Sequence, residues 1–296
     1  MRWLSLAATC LVTSSLVAQT PKLPDAPEGA LVAKDVSYGP HERNKLDINV
    51  PKSDKPLPLV IWVHGGGWEA GDKALNPATL LTVKGYAVAS INYRYSKQAV
   101  FPAQLHDCKA AVRFLRDNAT KYNLDPDAFG VWGASAGGHL VALLGTTGDV
   151  PELEGDAETK TSSKVQAVCD WFGPTDLVAL APMSAAFNPI TKLLGGSTAT
   201  KADLAKLANP ITHLTKNDAP FLTFHGDGDK LVPVSQSELL HVALTKAGVE
   251  SELVILKGAD HGGREFQAQV GSVENRKKLL AFFDKHLKGT KGDGAK

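Results

Sequence analysis

Short apolar runs alternate with helical patterns along most of this chain, and this alternation constrains the fold more than any other feature. The apolar runs predict buried strands at residues 57–63, 86–92, 128–132, 165–172, 221–224 and 252–256. Helical patterns occupy residues 103–122, 138–144, 235–247 and 275–287. Strands that alternate with helices predict the α/β class, with a mostly parallel sheet covered by helices on both faces.

Two parts of the chain depart from this rhythm. Residues 46–50 alternate apolar and polar side chains, which predicts a half-exposed strand near a sheet edge. Residues 175–219 contain loops and short helical pieces, and we expect them to form a small cap-like insertion over the carboxyl edge of the sheet. The chain has 296 residues, of which 43% are hydrophobic, so one α/β domain at residues 36–288 accounts for its length.

The first residues have the pattern of an export signal. Arg2 precedes a mostly apolar stretch, and the small residue Ala18 follows at the expected cleavage point, which predicts a secretory signal peptide at residues 1–18. An uncleaved anchor is the alternative, although the apolar stretch is short for one. Residues 19–35 are predicted to be an extended lead-in and residues 289–296 a disordered tail. We therefore expect a secreted or periplasmic protein with no membrane span after cleavage.

The charge balance argues against charged partners, and the cysteine content argues against a disulfide. There are 32 basic and 31 acidic residues, and no basic block stands out, so neither nucleic acid nor an anionic membrane surface is expected to bind. Signal cleavage would leave Cys108 and Cys169, which lie in apolar segments and are predicted to be buried free thiols rather than a disulfide. The sequence requires no metal and no organic cofactor.

A glycine-flanked serine joins one predicted strand to the helix after it. Its pattern is G-x-S-x-G, written here Gly133-Ala134-Ser135-Ala136-Gly137. A turn this sharp leaves no room for side chains two residues before and after the serine, which explains the glycines. Because the turn lifts the hydroxyl above the sheet, the pattern favours Ser135 as a nucleophile over a purely structural turn.

A serine nucleophile needs a base, and the base needs an acid to orient it. His261 follows the strand at residues 252–256 and is the best-placed histidine for the base, whereas His139 is better interpreted as a packing residue. The acid is expected in the loop after the strand at residues 221–224. Both Asp229 and Asp227 lie there, and spacing alone does not choose between them.

A glycine loop ends the first long buried strand, with the sequence His64-Gly65-Gly66-Gly67-Trp68. Small residues allow backbone amides to turn toward a negatively charged oxygen, so Gly66, Gly67 and Ala136 are predicted to form an oxyanion hole. The structural alternative is a plain turn in which Trp68 packs.

Taken together, these motifs resemble the esterase branch of the α/β-hydrolases, namely the hormone-sensitive-lipase-like carboxylesterases and the bacterial feruloyl and acetylxylan esterase-like enzymes. The resemblance implies the α/β-hydrolase fold and favours Asp229 as the acid, since the family has G-x-x-D-x-x-V-P at that point. The sequence departs from the family after the base, where Gly262-Gly263 stands in place of a bulky aromatic residue. The matching segments run through nearly the whole chain from about residue 36 and include Asn92-Tyr93-Arg94 and Asp170-Trp171-Phe172-Gly173-Pro174.

The expected function is carboxylic ester hydrolysis through an acyl-enzyme. Export and the family resemblance favour small acyl or hydroxycinnamoyl esters of plant polysaccharide as substrates, with Trp68 and Trp171 as substrate-binding side chains. One alternative is a serine peptidase of the prolyl-oligopeptidase type, although no propeller domain precedes the serine motif and its neighbours are alanines. Another is a non-catalytic binding protein on the same scaffold, which would be expected to have lost part of the site.

Overall fold

The computed structural model describes residues 30–155, 160–181 and 189–289. It contains one eight-stranded sheet, whose strands are β1 (Leu31–Ser37), β2 (Lys45–Val50), β3 (Leu57–Val63), β4 (Ala87–Ile91), β5 (Leu124–Ala134), β6 (Ala167–Trp171), β7 (Phe221–Gly226) and β8 (Ser251–Leu256). Their order across the sheet is β1-β2-β4-β3-β5-β6-β7-β8. β2 is antiparallel to both of its neighbours, whereas β4, β3 and β5 to β8 run parallel. The predicted mostly parallel sheet is confirmed.

Helices cover both faces of this sheet. The α-helices are α1 (Ala103–Asp117), α2 (Ala136–Thr146), α3 (Leu177–Leu180), α4 (Pro189–Leu194), α5 (Ala202–Leu207), α6 (Ser235–Ala247), α7 (Arg264–Val270) and α8 (Val273–Phe283). The part of the chain that the structure describes also contains the 3-10 segments Pro77–Lys84, Pro151–Leu153 and Pro210–His213 and a wider helical turn, Asp284–Lys288. α1, α2 and α6 pack on one face, and α7, α8 and the segment Pro77–Lys84 pack on the other.

β3 shows why the sheet is buried on both faces. Its side chains alternate between the two cores, with Leu59, Ile61 and Val63 on the α1 and α2 face and Val60 and Trp62 on the α8 face. A strand that contacts apolar groups on both sides has no solvent face, so its sequence is continuously apolar rather than alternating. Burial of these side chains therefore fixes the position of the loop that follows Val63.

The first strand corrects the predicted lead-in. Residues 31–35 belong to β1, which pairs antiparallel with β2 instead of running as a free extended segment. Asp35 on β1 and Asp47 on β2 both contact the ammonium group of Lys73, at 2.8 and 2.7 Å. Because β1 is an edge strand with mostly exposed side chains, its sequence lacks the apolar signal of the inner strands.

The helices differ from the prediction at their ends. α1 ends at Asp117, not at residue 122, and the Asn118 side chain donates to the Phe114 carbonyl at that end. The terminal helix begins at Val273, and α7 before it was not predicted. Cys108 and Cys169 are buried free thiols, as predicted.

Residues 175–219 form the predicted insertion of loops and short helices, α3 to α5 and Pro210–His213, with residues 182–188 outside the described part. The expected signal peptide, most of the lead-in and the tail beyond Gly289 also lie outside the described residues. Within the described ranges, no helix has the length and apolar character needed to span a bilayer.

Candidate active site

Ser135 lies in the sharp turn between β5, which ends at Ala134, and α2, which begins at Ala136. Its backbone has φ 56° and ψ −121°, a conformation that L-residues rarely adopt. A Cβ at Gly133 would lie 2.3 Å from the Gly137 carbonyl oxygen, and one at Gly137 would lie 2.1 Å from the Val63 oxygen. The two glycines are therefore required by close backbone approach, and the turn holds Ser135 above the end of the sheet.

His261 lies on the loop after β8 and contacts both of its expected partners. Its Nε2 atom is 2.8 Å from the Ser135 Oγ atom. Its Nδ1 atom is 2.6 Å from the Oδ2 atom of Asp229, on the loop after β7. The carboxyl ends of β5, β7 and β8 thus bring together three side chains that are far apart in the sequence.

The Asp229 carboxylate is held from several directions. Its Oδ1 atom accepts hydrogen bonds from the amides of Leu231 and Val232, both at 2.9 Å. Burial alone would raise the pKa of Asp229, but hydrogen bonds from His225 and His261 outweigh it and hold the pKa below its usual value. Asp229 is therefore ionised at neutral pH, as an acceptor for the His261 Nδ1–H group must be.

The other nearby carboxylates do not reach the His261 ring. Asp227 is exposed, and its Oδ1 atom accepts a hydrogen bond from the Gly258 amide. Asp260 accepts a hydrogen bond from the Gly263 amide at 2.9 Å. Of the two aspartates left open by spacing, the structure brings Asp229 to the imidazole and leaves Asp227 on the outer side of its loop.

The glycine loop lies beside Ser135. A Cβ at Gly65 would lie 2.7 Å from the Ala134 carbonyl oxygen, so only a glycine allows the loop to come this close. Gly66, Gly67 and Ala136 all line the same cavity as Ser135. None of the described residues accepts a hydrogen bond from these three amides outside regular helix and strand pairing. Their N–H groups are therefore available to a substrate oxygen.

The glycine loop is supported by His64, Tyr93 and Arg43 through contacts that local sequence patterns do not predict. The His64 ring donates from Nδ1 to the Gly65 carbonyl at 2.7 Å and stacks on Tyr93 at a centroid distance of 4.5 Å. Burial lowers the pKa of His64 to about 4, so the ring is neutral. The Tyr93 hydroxyl donates to the His64 carbonyl at 2.9 Å, and Arg43 donates to the Tyr93 carbonyl at 2.8 Å. Arg43 lies between β1 and β2, where no local pattern pointed to the site.

A cavity of about 580 Å³ opens above Ser135 and His261. Its wall is mostly apolar, and Glu69 is the one acidic side chain among the described residues that line it. The insertion contributes part of this wall, so its position over the carboxyl edge is confirmed. Trp68 of the glycine loop lines the cavity, and the lining residues outside that loop and the serine turn include Trp62, Leu75, Phe172, Pro174, Leu180, Pro189, Ile190, Leu231 and Val232.

The two tryptophans expected to bind substrate have different environments. Trp68 lines the cavity, and its buried ring also packs edge-on against His139, 5.3 Å away. The expectation for Trp171 needs correction, because its side chain is not among those lining the cavity. It packs in an aromatic cluster with Trp62, Trp132 and Phe266. β6 ends at Trp171, and Phe172, which follows it with φ 43°, lines the cavity instead.

The site offers donors for an acyl-transfer reaction but no cluster of metal ligands. Among the described residues, no group of three or more His, Cys, Asp or Glu side chains is placed to hold a metal ion. Nucleophilic attack on a carbonyl requires a hydroxyl, an imidazole and an ionised carboxylate in series, beside backbone amides that can donate to the carbonyl oxygen. Ser135, His261 and Asp229 provide this series.

Several solved structures share this fold. A truncated carbohydrate esterase from gut microbiota superposes with a TM-score of 0.80 at 32% identity, covering 87% of this chain and 96% of that one. A bifunctional GH43-CE protein from Bacteroides eggerthii superposes with a TM-score of 0.78 at 36% identity, covering 86% of this chain and 35% of the other.

Curated relatives and a family model point the same way. Esterase LipQ of Mycobacterium tuberculosis is 32% identical over 74% of this chain and 54% of its own length. Esterase LipC of the same organism is 31% identical over 77% of this chain and 59% of its own length. The chain therefore spans little more than half the length of these relatives. The BD-FAE family model matches residues 46–244, which include Ser135, Asp229 and the glycine loop. With its strand order and its serine turn, the chain belongs to the BD-FAE family and has the α/β-hydrolase fold.

Proposed function

We propose that the protein is a carboxylic ester hydrolase in which Ser135 is the nucleophile, His261 the general base and Asp229 the orienting acid. The observation that carries the proposal is the continuous series of contacts from Ser135 Oγ to His261 Nε2, at 2.8 Å, and from His261 Nδ1 to Asp229 Oδ2, at 2.6 Å. Esterase names among the relatives and structural neighbours support the same class of reaction.

In this mechanism, the Ser135 oxygen attacks the ester carbonyl carbon while His261 Nε2 removes the hydroxyl proton. The amides of Gly66, Gly67 and Ala136 donate to the carbonyl oxygen as it becomes negatively charged. His261 then returns the proton to the departing alcohol oxygen, and the acyl group stays on Ser135. A water molecule, deprotonated by His261, then attacks the acyl-enzyme; the bond to the Ser135 oxygen breaks, His261 returns the proton to that oxygen, and the acid is released. Asp229 stabilises the imidazolium that forms in each half-reaction.

For substrate, we propose small acyl or hydroxycinnamoyl esters carried on plant polysaccharide. The apolar cavity wall suits an acyl group of this kind, because moving apolar surface of the substrate from water into contact with that wall is favourable. Two of the structural neighbours are described as a carbohydrate esterase and a bifunctional GH43-CE protein, which supports a carbohydrate ester. We also propose that the protein is exported, because residues 1–18 have the pattern of a signal peptide.

The test is turnover of acetyl, butyryl, longer-chain and feruloyl esters and of a peptide amide by the wild type, Ser135→Ala and Ser162→Ala. Ser162 is an exposed serine outside the cavity, so its variant is a matched control. We expect ester turnover by the wild type and by Ser162→Ala, and a loss of about 10³-fold or more in Ser135→Ala. Full activity in Ser135→Ala would overturn the nucleophile, and faster amide than ester turnover would favour a peptidase.

A further inference from the structure

Phe172 is the cavity residue that lies directly against the proposed base. It follows β6, its amide donates to the Phe224 carbonyl at 3.0 Å, and its backbone has φ 43°. Its side chain is buried and lines the cavity above Ser135. A bulky residue held in this uncommon conformation must be stabilised by its surroundings, so the position of its ring is well defined.

The ring of Phe172 lies between the base and the aromatic core. On one side it contacts the His261 ring, with centroids 4.5 Å apart and an angle of 56° between the planes. On the other side it meets Phe266 edge-on, at 4.6 Å and 82°. Phe266 is fully buried and does not line the cavity. The core therefore supports Phe172 from behind, and the ring cannot retreat from the cavity without displacing Phe266.

The position of the Phe172 ring explains why a glycine, Gly262, follows the base in this chain. A Cβ at Gly262 would lie 3.1 Å from the Phe172 Cζ atom, and the backbone there has φ 73°. The Phe172 ring thus occupies the space beside His261 that a side chain at position 262 would enter. The cavity wall next to the imidazole comes from the end of β6 and not from the loop that carries the base.

The chemistry of the proposed reaction says which part of the substrate meets this wall. The departing alcohol oxygen must come within hydrogen-bonding distance of His261 Nε2, whereas the carbonyl oxygen must point to the amides of Gly66, Gly67 and Ala136. The alcohol therefore leaves the reacting carbon on the His261 side. Phe172 is the cavity residue in ring contact with that imidazole, so the alcohol rather than the acyl group adjoins it.

We propose that Phe172 determines alcohol specificity, and that it favours esters whose alcohol is unbranched at the carbon bonded to the ester oxygen, such as a primary hydroxyl of a polysaccharide. This inference rests on the proposed function, because it assumes that His261 protonates the leaving alcohol. Phe172→Ala and Phe172→Leu should open this side of the cavity. Phe282→Leu is the matched control, because Phe282 is a buried aromatic residue of the same core whose ring contacts Phe283 and His286, not Phe172, and it does not line the cavity.

The experiment compares kcat/KM in two ester series, one that varies the alcohol of an acetate from methyl to a branched, bulky group and one that varies the acyl group on a constant alcohol. In Phe172→Ala, we expect the preference for methyl over bulky alcohol to fall about tenfold, while the acyl preference changes less than about threefold. Phe172→Leu should fall between, and Phe282→Leu should keep the wild-type preference. Thermal unfolding of each variant checks that it is folded.

The possible results separate this inference from the function on which it rests. Ester turnover that depends on Ser135, with an unchanged alcohol preference in both Phe172 variants, would overturn the role of Phe172 alone. A change confined to the acyl series, or an equal change in Phe282→Leu, would do the same. Wild-type ester turnover that persists in Ser135→Ala would overturn the proposed function and this inference together.

Discussion

Asp229 and His261 are 32 positions apart in the sequence, yet the Oδ2 atom of the first lies 2.6 Å from the Nδ1 atom of the second. The pairing depends on the loop after β7, where the amides of Leu231 and Val232 hold the other carboxylate oxygen. Asp227, two residues earlier, is bound to the Gly258 amide and faces away. The same loop therefore supplies two carboxylates with different roles. Asp229 binds His261, whereas Asp227 only binds a backbone amide, that of Gly258.

Replacing the two aspartates by asparagine should separate these roles. We expect Asp229→Asn to lower kcat by about 10⁴-fold, because the amide favours the wrong imidazole tautomer and does not stabilise the imidazolium. Asp227→Asn should change kcat less than about tenfold. Steady-state kinetics on one ester decide between them, and a collapse confined to Asp227→Asn would show that the acid is misassigned.

Gly137→Ala should damage the serine turn itself. Its new Cβ would lie 2.1 Å from the Val63 carbonyl oxygen, which is backbone and cannot move aside cheaply. We expect a loss of roughly 2–4 kcal/mol in the free energy of unfolding, measured in urea, together with loss of ester turnover. Gly148→Ala is the control, because its Cβ meets only side-chain carbons of Lys164. Equal stability of the two variants would contradict this account of the turn.

Asp170 should make stability depend on pH. It lies on β6 beneath the serine turn, where burial raises its pKa to about 7 although His225 opposes the shift. One carboxyl oxygen accepts a hydrogen bond from the Gly173 amide, and the other has no partner among the described residues. Below about pH 4, Asp170 is protonated in both the folded and the unfolded chain and contributes nothing to the difference. As the pH rises from there through 7, the unfolded chain loses this proton first, so the folded state is progressively destabilised.

Asp170→Asn removes this titration while keeping the size of the side chain. We expect the free energy of unfolding of the variant, relative to the wild type, to increase between pH 4 and 7 and to level off above 7. Urea unfolding of both proteins at several pH values measures it, and other titrating groups largely cancel in the difference. A difference that is independent of pH, or that decreases with rising pH, would show that Asp170 is ionised in the folded protein.

Cys108 and Cys169 should resist thiol reagents in the folded protein. Both are completely buried, and burial raises the pKa of each thiol well above its usual value, which suppresses the reactive thiolate. We expect no labelling of these two cysteines by a disulfide reagent under native conditions and complete labelling in denaturant without reduction. Labelling that requires a reductant would reveal a disulfide.

Much of the fold could be predicted because buried strands and amphipathic helices leave strong local patterns. β1 could not, since an edge strand with exposed side chains is held by backbone pairing and by Lys73 rather than by apolar burial. α7 was missed because it is short and follows directly on the His261 loop. The predicted end of α1 differs from the observed one because a single capping contact, from the Asn118 side chain to the Phe114 carbonyl, occurs where the helix ends.

The site divides in the same way. The residues around Ser135, His261 and the glycine loop indicate their chemistry, so these parts of the site could be predicted from the sequence. The choice between Asp229 and Asp227 depends on which way a loop folds, and spacing does not encode it. Phe172 lines the cavity in place of Trp171 because β6 ends at Trp171 and the backbone of Phe172 has φ 43°, which local sequence does not reveal. The support that Arg43 gives to Tyr93 comes from a contact 50 residues away in the chain.

The central claim is that Ser135 is an activated nucleophile, and covalent labelling tests it most directly. A fluorophosphonate reacts with a serine only where a base and an oxyanion site assist the attack, so its adduct reports the assembled site. We expect intact-protein mass spectrometry to show one adduct per wild-type molecule, peptide mapping to place it on Ser135, and ester turnover to fall in proportion. Ser135→Ala should remain unlabelled, and His261→Ala should label far more slowly. An adduct on a different residue, or full ester turnover in protein labelled at Ser135, would contradict the account.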